Sequence, residues 1–284
     1  MPELPEVETM RRGILGSVGG KIMVAEKIRC PKKPLLIQPS VAAIRKRIVG
    51  KRILAIEGIG KRVVIVIGAK QAKDYLIFEP RMTGLVLVAA PPTKEHLRFR
   101  MQIAGSDLDE IMYWDRRGLG NITLLNQKQL DERFSRRNIG PDALKIKFEE
   151  FVENFAKLNR EIKVALLDQK LVAGVGNLYA SELLHLAKVH PARKCRNLKP
   201  QQFQKIFDQM IYVLETAIQH EGSTLSDGTY RNALNQQGGY QNRHLVYDRA
   251  GEDCQQCQTG KIERIVQAQR ATFYCKKCQR PPRN

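Results

Sequence analysis

Six cysteines occur in the chain, and four of them form two Cys-x-x-Cys pairs, Cys254/Cys257 and Cys275/Cys278, with seventeen residues between the pairs. Thiolates at two such turns can close a four-sulfur shell around a metal, and the spacing points to one structural zinc ion. A complete sulfur shell leaves no open position for substrate. Metal binding then supplies folding free energy to a segment too short to build a core of its own. A redox pair, or cysteines without a common role, is the other reading. Arg270 stands between the pairs, ahead of Ala271-Thr272-Phe273-Tyr274. At a hairpin tip its guanidinium can hold a phosphate through two parallel hydrogen bonds, although an isolated arginine there also reads as a solvated charge. Cys30 and Cys195 stand alone and read as free thiols.

A second chemistry lies at the start, Met1-Pro2-Glu3-Leu4-Pro5-Glu6. If Met1 is removed, Pro2 presents a secondary amine beside the Glu3 carboxylate. An α-amino group titrates near ~7.7–8.0 and a lysine near ~10.4, so at neutral pH the terminal amine is about 300-fold more available as a nucleophile. Such an amine can attack an electrophilic carbon and form an iminium, with Glu3 placed to move protons. The same residues also read simply as a good helix start, with Pro5 in the first turn and acids at the positive end of the dipole.

A third candidate is Gly174-Val175-Gly176-Asn177, followed by an apolar helical run. Asn177 reads as the N-cap. Backbone amides at a glycine-led helix start form a ready phosphate site, and an ordinary helix–turn–helix hairpin fits the stretch as well.

The elements that must position these groups follow from periodicity. Leu4, Val7, Met10 and Ile14 recur at helical spacing. From about residue 20 to 126 come short β-type runs: Lys21–Ile28, Lys51–Ile56, Arg62–Ile67, Tyr75–Phe78, Leu85–Val88, Leu97–Ile103, Ile111–Asp115 and Asn121–Leu125. About eight short strands punctuated by glycine and proline predict an antiparallel sandwich or barrel. Beyond Ile139-Gly140-Pro141-Asp142 the period becomes helical, with helices expected at Phe148–Lys157, Ile162–Asp168, Asn177–Ala187 and Pro200–His220. Gly222 to Gly239 has no period and reads as a mobile loop. The fold class is α+β: an N-terminal helix and β-sandwich (1–135), a helical domain with the loop (136–248) and a zinc ribbon (249–284).

Composition narrows the partner. The chain has 284 residues, 48 Lys+Arg against 29 Asp+Glu, a formal charge of +19 and a hydrophobic share of 43%. Such a balance favours a polyanion, nucleic acid ahead of an anionic membrane surface. The longest apolar run, Val63–Ile67, is too short to span a bilayer, and the first twenty residues lack a signal-peptide core. A reducing, cytoplasmic setting is expected.

The opening Met-Pro-Glu-Leu-Pro-Glu-Val-Glu-Thr with Arg11-Arg12-Gly13 resembles the amino terminus of formamidopyrimidine-DNA glycosylase, the bacterial family that excises oxidised purines. The resemblance spans nearly the whole chain. It implies a β-sandwich domain, a helix–two-turn–helix domain and a zinc finger, acting as a monomer on duplex DNA that carries an oxidised base or abasic site. By resemblance Pro2 is the nucleophile and Glu3 the proton donor, and Lys61 contacts DNA near the reacting sugar. Met82 fills the gap left by an extruded base, and Arg117 faces the orphaned partner. Asn177 and Arg270 hold phosphate around the damaged nucleotide, and Lys163 falls at a family lysine. The loop from Ser226 to Tyr240 caps the flipped base, with Tyr240 at the DNA. Read without the family, Met82 is a core residue, Lys61 a turn charge and Lys163 a surface lysine.

Three stretches depart from the family pattern. Glu79-Pro80-Arg81 precedes Met82-Thr83-Gly84 where His-Leu-Gly is usual, so an acid replaces a histidine to DNA, and phosphate repels it unless another group uses it. Arg116-Arg117-Gly118-Leu119-Gly120 replaces Arg-Arg-Phe-Gly, which puts Leu119 in the aromatic wedge's place. Ser223-Thr224-Leu225-Ser226 lacks a lysine found after Thr-Leu in some relatives. These bear on lesion preference. The competing functions are an endonuclease VIII-type enzyme for oxidised pyrimidines, disfavoured by Leu4 where glycine is commoner, and a non-catalytic damaged-DNA-binding protein of the same fold. A zinc-ribbon RNA-binding factor leaves the Pro2-Glu3 opening unexplained.

Overall fold

The computed structural model describes residues 2–69 and 72–281. The expected removal of Met1 concerns a residue outside these. The chain forms two compact units, residues 1–135 with 218–241, and residues 136–217 with 242–284.

In the first unit α1 (Leu4–Gly13) leads to β1 (Lys21–Lys27), β2 (Leu36–Gln38), α2 (Val41–Ile48), β3 (Arg52–Gly58), β4 (Val63–Ala69) and β5 (Ala72–Glu79). β6 (Gly84–Leu87), β7 (Leu97–Ala104), β8 (Glu110–Asp115), β9 (Asn121–Asn126) and α3 (Gln127–Arg133) complete it. All eight strands read from the sequence are present. The sheet among the described residues runs β2-β9-β5-β4-β3-β1-β7-β8-β6 and is antiparallel except for β2 on β9. β1 meets β3 at the Lys21–Arg52 register position. About that junction the two halves fold face to face, as the ring contacts between Phe78 of β5 and Phe99 and Tyr113 of β7 and β8 require. The result is a sandwich whose core also takes Val7 and Met10 from the apolar stripe of α1 and Ile14 just after it.

β4 is buried on both faces, because Leu130 and Phe134 cover its outer side with Val64 and Val66. Among the α-helices and strands of this unit's described residues, α2, α3 and β2 escape the sequence reading. Each is short, and β2 has three residues, too few to carry a period.

The second unit holds α4 (Phe148–Phe155), α5 (Ile162–Leu166), α6 (Asn177–Leu186) and most of α7 (Pro200–Gln219), then the hairpin β10 (Ile262–Gln267) and β11 (Arg270–Cys275). Phe148 and Phe151 pack edge-on against Phe207, which ties α4 to α7. β11 lies against α6.

The segment 218–241, assigned by the sequence to the helical domain, packs with the first unit. The cause is a set of long-range bonds: Ser223 N to Glu6 Oε1 at 2.9 Å, Val88 N to Ala233 O at 2.9 Å and Asn235 Nδ2 to Ala90 O at 2.9 Å. The stretch 222–239 lacks regular structure, as its composition implies. It is nevertheless pinned along its length by Thr224 Oγ1 to Tyr230 O at 2.8 Å and Leu234 N to Asn232 Oδ1 at 3.0 Å. No helix of the described residues is long and apolar enough to cross a membrane.

Candidate functional site

Pro2 and Glu3 are buried immediately before α1. Glu3 and Glu6 form a reciprocal capping box, in which the Glu3 N–H donates to Glu6 Oε2 at 2.8 Å. Glu6 is itself buried, and its other oxygen accepts from Ser223 N at 2.9 Å. One carboxylate therefore fixes both the chain start and the first residues of the irregular segment. Glu6 is missed as a positioning residue by the sequence reading. Its signal was the Glu-x-x-Glu spacing of a capping box, which says nothing of the distant partner. Behind it, Glu8 accepts from Arg11 Nε at 2.6 Å and Arg12 Nε at 2.7 Å. Burial raises the Glu8 carboxyl, but the two guanidiniums outweigh it and hold it below the ordinary value.

Lys61 lies in the turn from β3 to β4, closed by Ile59 N to Arg62 O at 3.1 Å, and is half-buried rather than a free turn charge. Met82 is 39% exposed, so it is not a core residue. Arg117 Nη1 lies 3.2 Å from Met82 Sδ, and the Arg117 backbone N–H reaches Thr83 Oγ1 at 3.0 Å and Asp115 Oδ1 at 3.1 Å. The buried Asp115 thereby locks the two loops together, since Thr83 Oγ1 also donates to it. Gly118 has φ 60°, and a Cβ there would lie 2.6 Å from Lys33 O, so the residue after Arg117 must be glycine. Leu119 is half-buried.

Glu79, the acid that phosphate would repel, is in use. Its oxygens accept from Arg62 Nη2 at 3.2 Å, Arg62 Nε at 3.3 Å and Asn121 Nδ2 at 3.1 Å, with Arg81 Nε at 3.6 Å. Burial alone would raise this carboxyl; Arg62, Asn121 and Arg81 together depress it.

In the second unit the N-cap of α6 is Gly176, and Asn177 is the first helical residue, which corrects the assignment of Asn177 as the cap. Its carboxamide bonds within the protein: Oδ1 accepts from Lys163 Nζ at 2.5 Å and Nδ2 donates to Ala271 O at 2.9 Å. Asn177 thus binds α6 to the hairpin that carries Arg270. Lys163 is fully enclosed, not a surface lysine. Arg270 is exposed and opens β11. The two residues before it, Ala268 (φ 45°) and Gln269 (φ 61°), sit in left-handed backbone and make the turn, although neither is glycine. Tyr240, in the first unit, is buried and donates its N–H to Gly222 O at 3.0 Å.

The four cysteine sulfurs all lie within 4.8 Å of one another. Cys254 to Cys278 and Cys257 to Cys275 are each 3.8 Å. A tetrahedron with ~2.3 Å metal–sulfur arms has edges of about 3.8 Å, so the sulfurs fit a four-coordinate ion. Glu182, also missed by the sequence reading, holds this module. It is 1% exposed on α6 and accepts from the N–H groups of Leu245 (2.9 Å), Val246 (3.0 Å) and Tyr247 (2.8 Å). An acid within the buried run Leu178–His185 was its only signal.

The chain is similar to known proteins over its whole length. Residues 1–122 match the family model described as formamidopyrimidine-DNA glycosylase N-terminal domain, and residues 139–229 that of the formamidopyrimidine-DNA glycosylase H2TH domain. A formamidopyrimidine-DNA glycosylase of Chloroflexus aurantiacus is 37% identical over 98% of this chain and 98% of its own. That of Streptococcus mutans is 34% identical over 99% of this chain and 100% of its own. Among solved structures, a complex of Lactococcus lactis Fpg with DNA containing an abasic site superposes with a TM-score of 0.85 at 32% identity, covering 98% of this chain and 100% of that one. A complex of the same protein with N7-benzyl-Fapy-dG DNA gives 0.86 at 33% identity, over 99% and 100% of the two chains.

Proposed function

The chain belongs to the formamidopyrimidine-DNA glycosylase family, and from that premise we propose that it removes oxidised purines from duplex DNA and nicks the resulting abasic site through a Pro2 Schiff base. The observation that carries the reading is the buried Pro2-Glu3 start, anchored through Glu6 to Ser223. A base inside the stack is out of reach, so the damaged nucleotide is flipped out at a cost of a few kcal/mol. Contacts from Lys and Arg to phosphate offset this and make binding fall steeply with salt.

The Pro2 nitrogen bonds to sugar C1′ as the glycosidic bond breaks and the base leaves with its electron pair. Glu3 donates a proton to the ring oxygen, opening the sugar to an iminium. That cation acidifies C2′, and loss of the C2′ proton expels the 3′-phosphate; a second elimination expels the 5′-phosphate. Met82 fills the gap and Arg117 faces the orphaned base, while Arg270, Lys61 and Tyr240 bind near the damaged nucleotide and Asn177 meets phosphate there through its second Nδ2 hydrogen. Lys163 acts on DNA through Asn177. The four thiolates would hold one zinc ion, which supplies folding free energy to the hairpin that presents Arg270.

The test is borohydride trapping on a lesion panel. Duplexes with 8-oxoguanine and with a formamidopyrimidine should give a covalent Pro2–DNA adduct and cleavage faster than thymine glycol does. No adduct, or an adduct undiminished in Pro2→Gly, overturns the role of Pro2; preference for thymine glycol indicates the oxidised-pyrimidine enzyme instead.

A further inference from the structure

The loop between β5 and β6 contains an arginine with two unusual properties. Arg81 has φ 49°, a left-handed backbone that residues with a Cβ seldom adopt unless their surroundings impose it. The surroundings here are rigid: Pro80 precedes it and Gly84 N closes the loop onto Pro80 O at 2.9 Å. Its side chain is 56% exposed, and Nε faces Glu79 Oε1 at 3.6 Å. The same carboxylate is held from behind by Arg62 Nε and Nη2 and by Asn121. Arg62 in turn lies over the Phe134 ring at 5.3 Å. Glu79 is thus a fixed post, 16% exposed, with one arginine packed behind it and one in front. Two guanidiniums on one carboxylate leave a net charge of +1, and the exposed member is Arg81. Next to it are the exposed Met82 and Arg117.

We propose that Arg81 is a phosphate-contact residue of this protein's DNA interface and that Glu79 is its positioning residue, holding the Nε side so that the Nη edge faces the backbone of the bound strand. A guanidinium fixed along one edge binds phosphate along the other with little further loss of rotamer freedom. The inference rests on the DNA-binding reading above, and it reverses the simple expectation for Glu79: an acid in the interface strengthens binding.

Affinity of the full-length protein for a duplex with a tetrahydrofuran abasic analogue is measured from about 50 to 200 mM NaCl, each phosphate contact contributing a log–log slope of about 0.9. Arg81→Ala should be shallower by that amount, so its deficit relative to wild type shrinks about 3.5-fold across the range. Glu79→Gln should weaken binding at least threefold with Arg81 present and not at all in the Arg81→Ala background. An unchanged slope in Arg81→Ala, which a purely structural role would give even if the melting temperature moved, overturns the contact. Glu79→Gln acting alike in both backgrounds, or tightening binding in both, overturns the positioning role. Wild type without salt-dependent binding overturns the parent reading together with this one; salt-dependent wild-type binding with an unchanged Arg81→Ala slope overturns this one alone.

Discussion

Replacing Glu182 with glutamine exchanges one carboxylate oxygen for an amide nitrogen and tests how the cysteine module is held to α6. In the wild type, Oε1 accepts from Val246 and Tyr247 and Oε2 accepts from Leu245. Glutamine keeps one acceptor. In the better of its two flips the carbonyl oxygen retains Val246 and Tyr247, and the amide nitrogen faces the Leu245 N–H, donor against donor. An unsatisfied buried N–H costs about 1–3 kcal/mol, and each retained bond drops from a charged acceptor to a neutral one, about 1 kcal/mol less. Against this, burial raises the Glu182 carboxyl more than the three N–H groups and Arg249 lower it, so neutralising it returns part of the desolvation cost. The net expectation is a loss of about 2–3 kcal/mol, centred on the second unit. Hydrogen exchange by mass spectrometry localises it: amides 245–247 should exchange about 30- to 150-fold faster, while those of β4 and β5 stay as in wild type. Urea unfolding gives the global number. Unchanged protection at 245–247, with a stability change below about 0.5 kcal/mol, would refute the reasoning that three N–H groups depend on one carboxylate.

Three further perturbations have defined outcomes. Removing metal with a chelator, or Cys257→Ser, should unfold the β10–β11 hairpin, because the cluster Val246, Cys254, Ile262, Phe273 and Cys275 is too small a core to stand alone; loss of hairpin amide dispersion in NMR, restored by zinc in the chelated wild type, is the check. The guanidiniums around Glu79 and Glu8 hold both carboxyls below the ordinary carboxylate value, so each contributes stability that is full above that value and lost as pH falls through the folded value. Urea midpoints should therefore drop between about pH 5 and 3, and less so in Glu79→Gln; equal slopes in the two proteins would contradict it. Gly13→Ala puts a Cβ 2.3 Å from Ala233 Cβ, where about 3.5–4.0 Å is ordinary contact. It should cost about 1–3 kcal/mol, recovered by adding Ala233→Gly; a thermal melt of single and double variants decides.

Local chemistry made much of this protein legible in its sequence. The eight strands carry β-branched and aromatic runs between turn residues, the α1 stripe repeats at helical spacing, and the cysteine pairs have the spacing of a metal knuckle. The irregular 222–239 segment shows itself by glycine and the absence of period. Each signal is written within a window of a few residues, because backbone geometry and metal coordination are set at that range.

Tertiary structure alone decided what those residues touch. Asn177 looked like a cap, but Lys163 and Ala271 claim its side chain and Gly176 takes the end of the helix. Lys163 looked like a surface charge and is fully enclosed. Glu6 holds Ser223 across 217 positions of chain, and Glu182 holds Leu245 across 63. Glu79 reads in the sequence as an obstacle to phosphate, whereas in the fold Arg62 and Asn121 donate to it. Partners so far apart leave no mark in local pattern, since a buried polar atom needs only a hydrogen bond and not a particular neighbour in sequence. The chain's order wrote its elements; the packing of those elements chose the partners of its charged side chains.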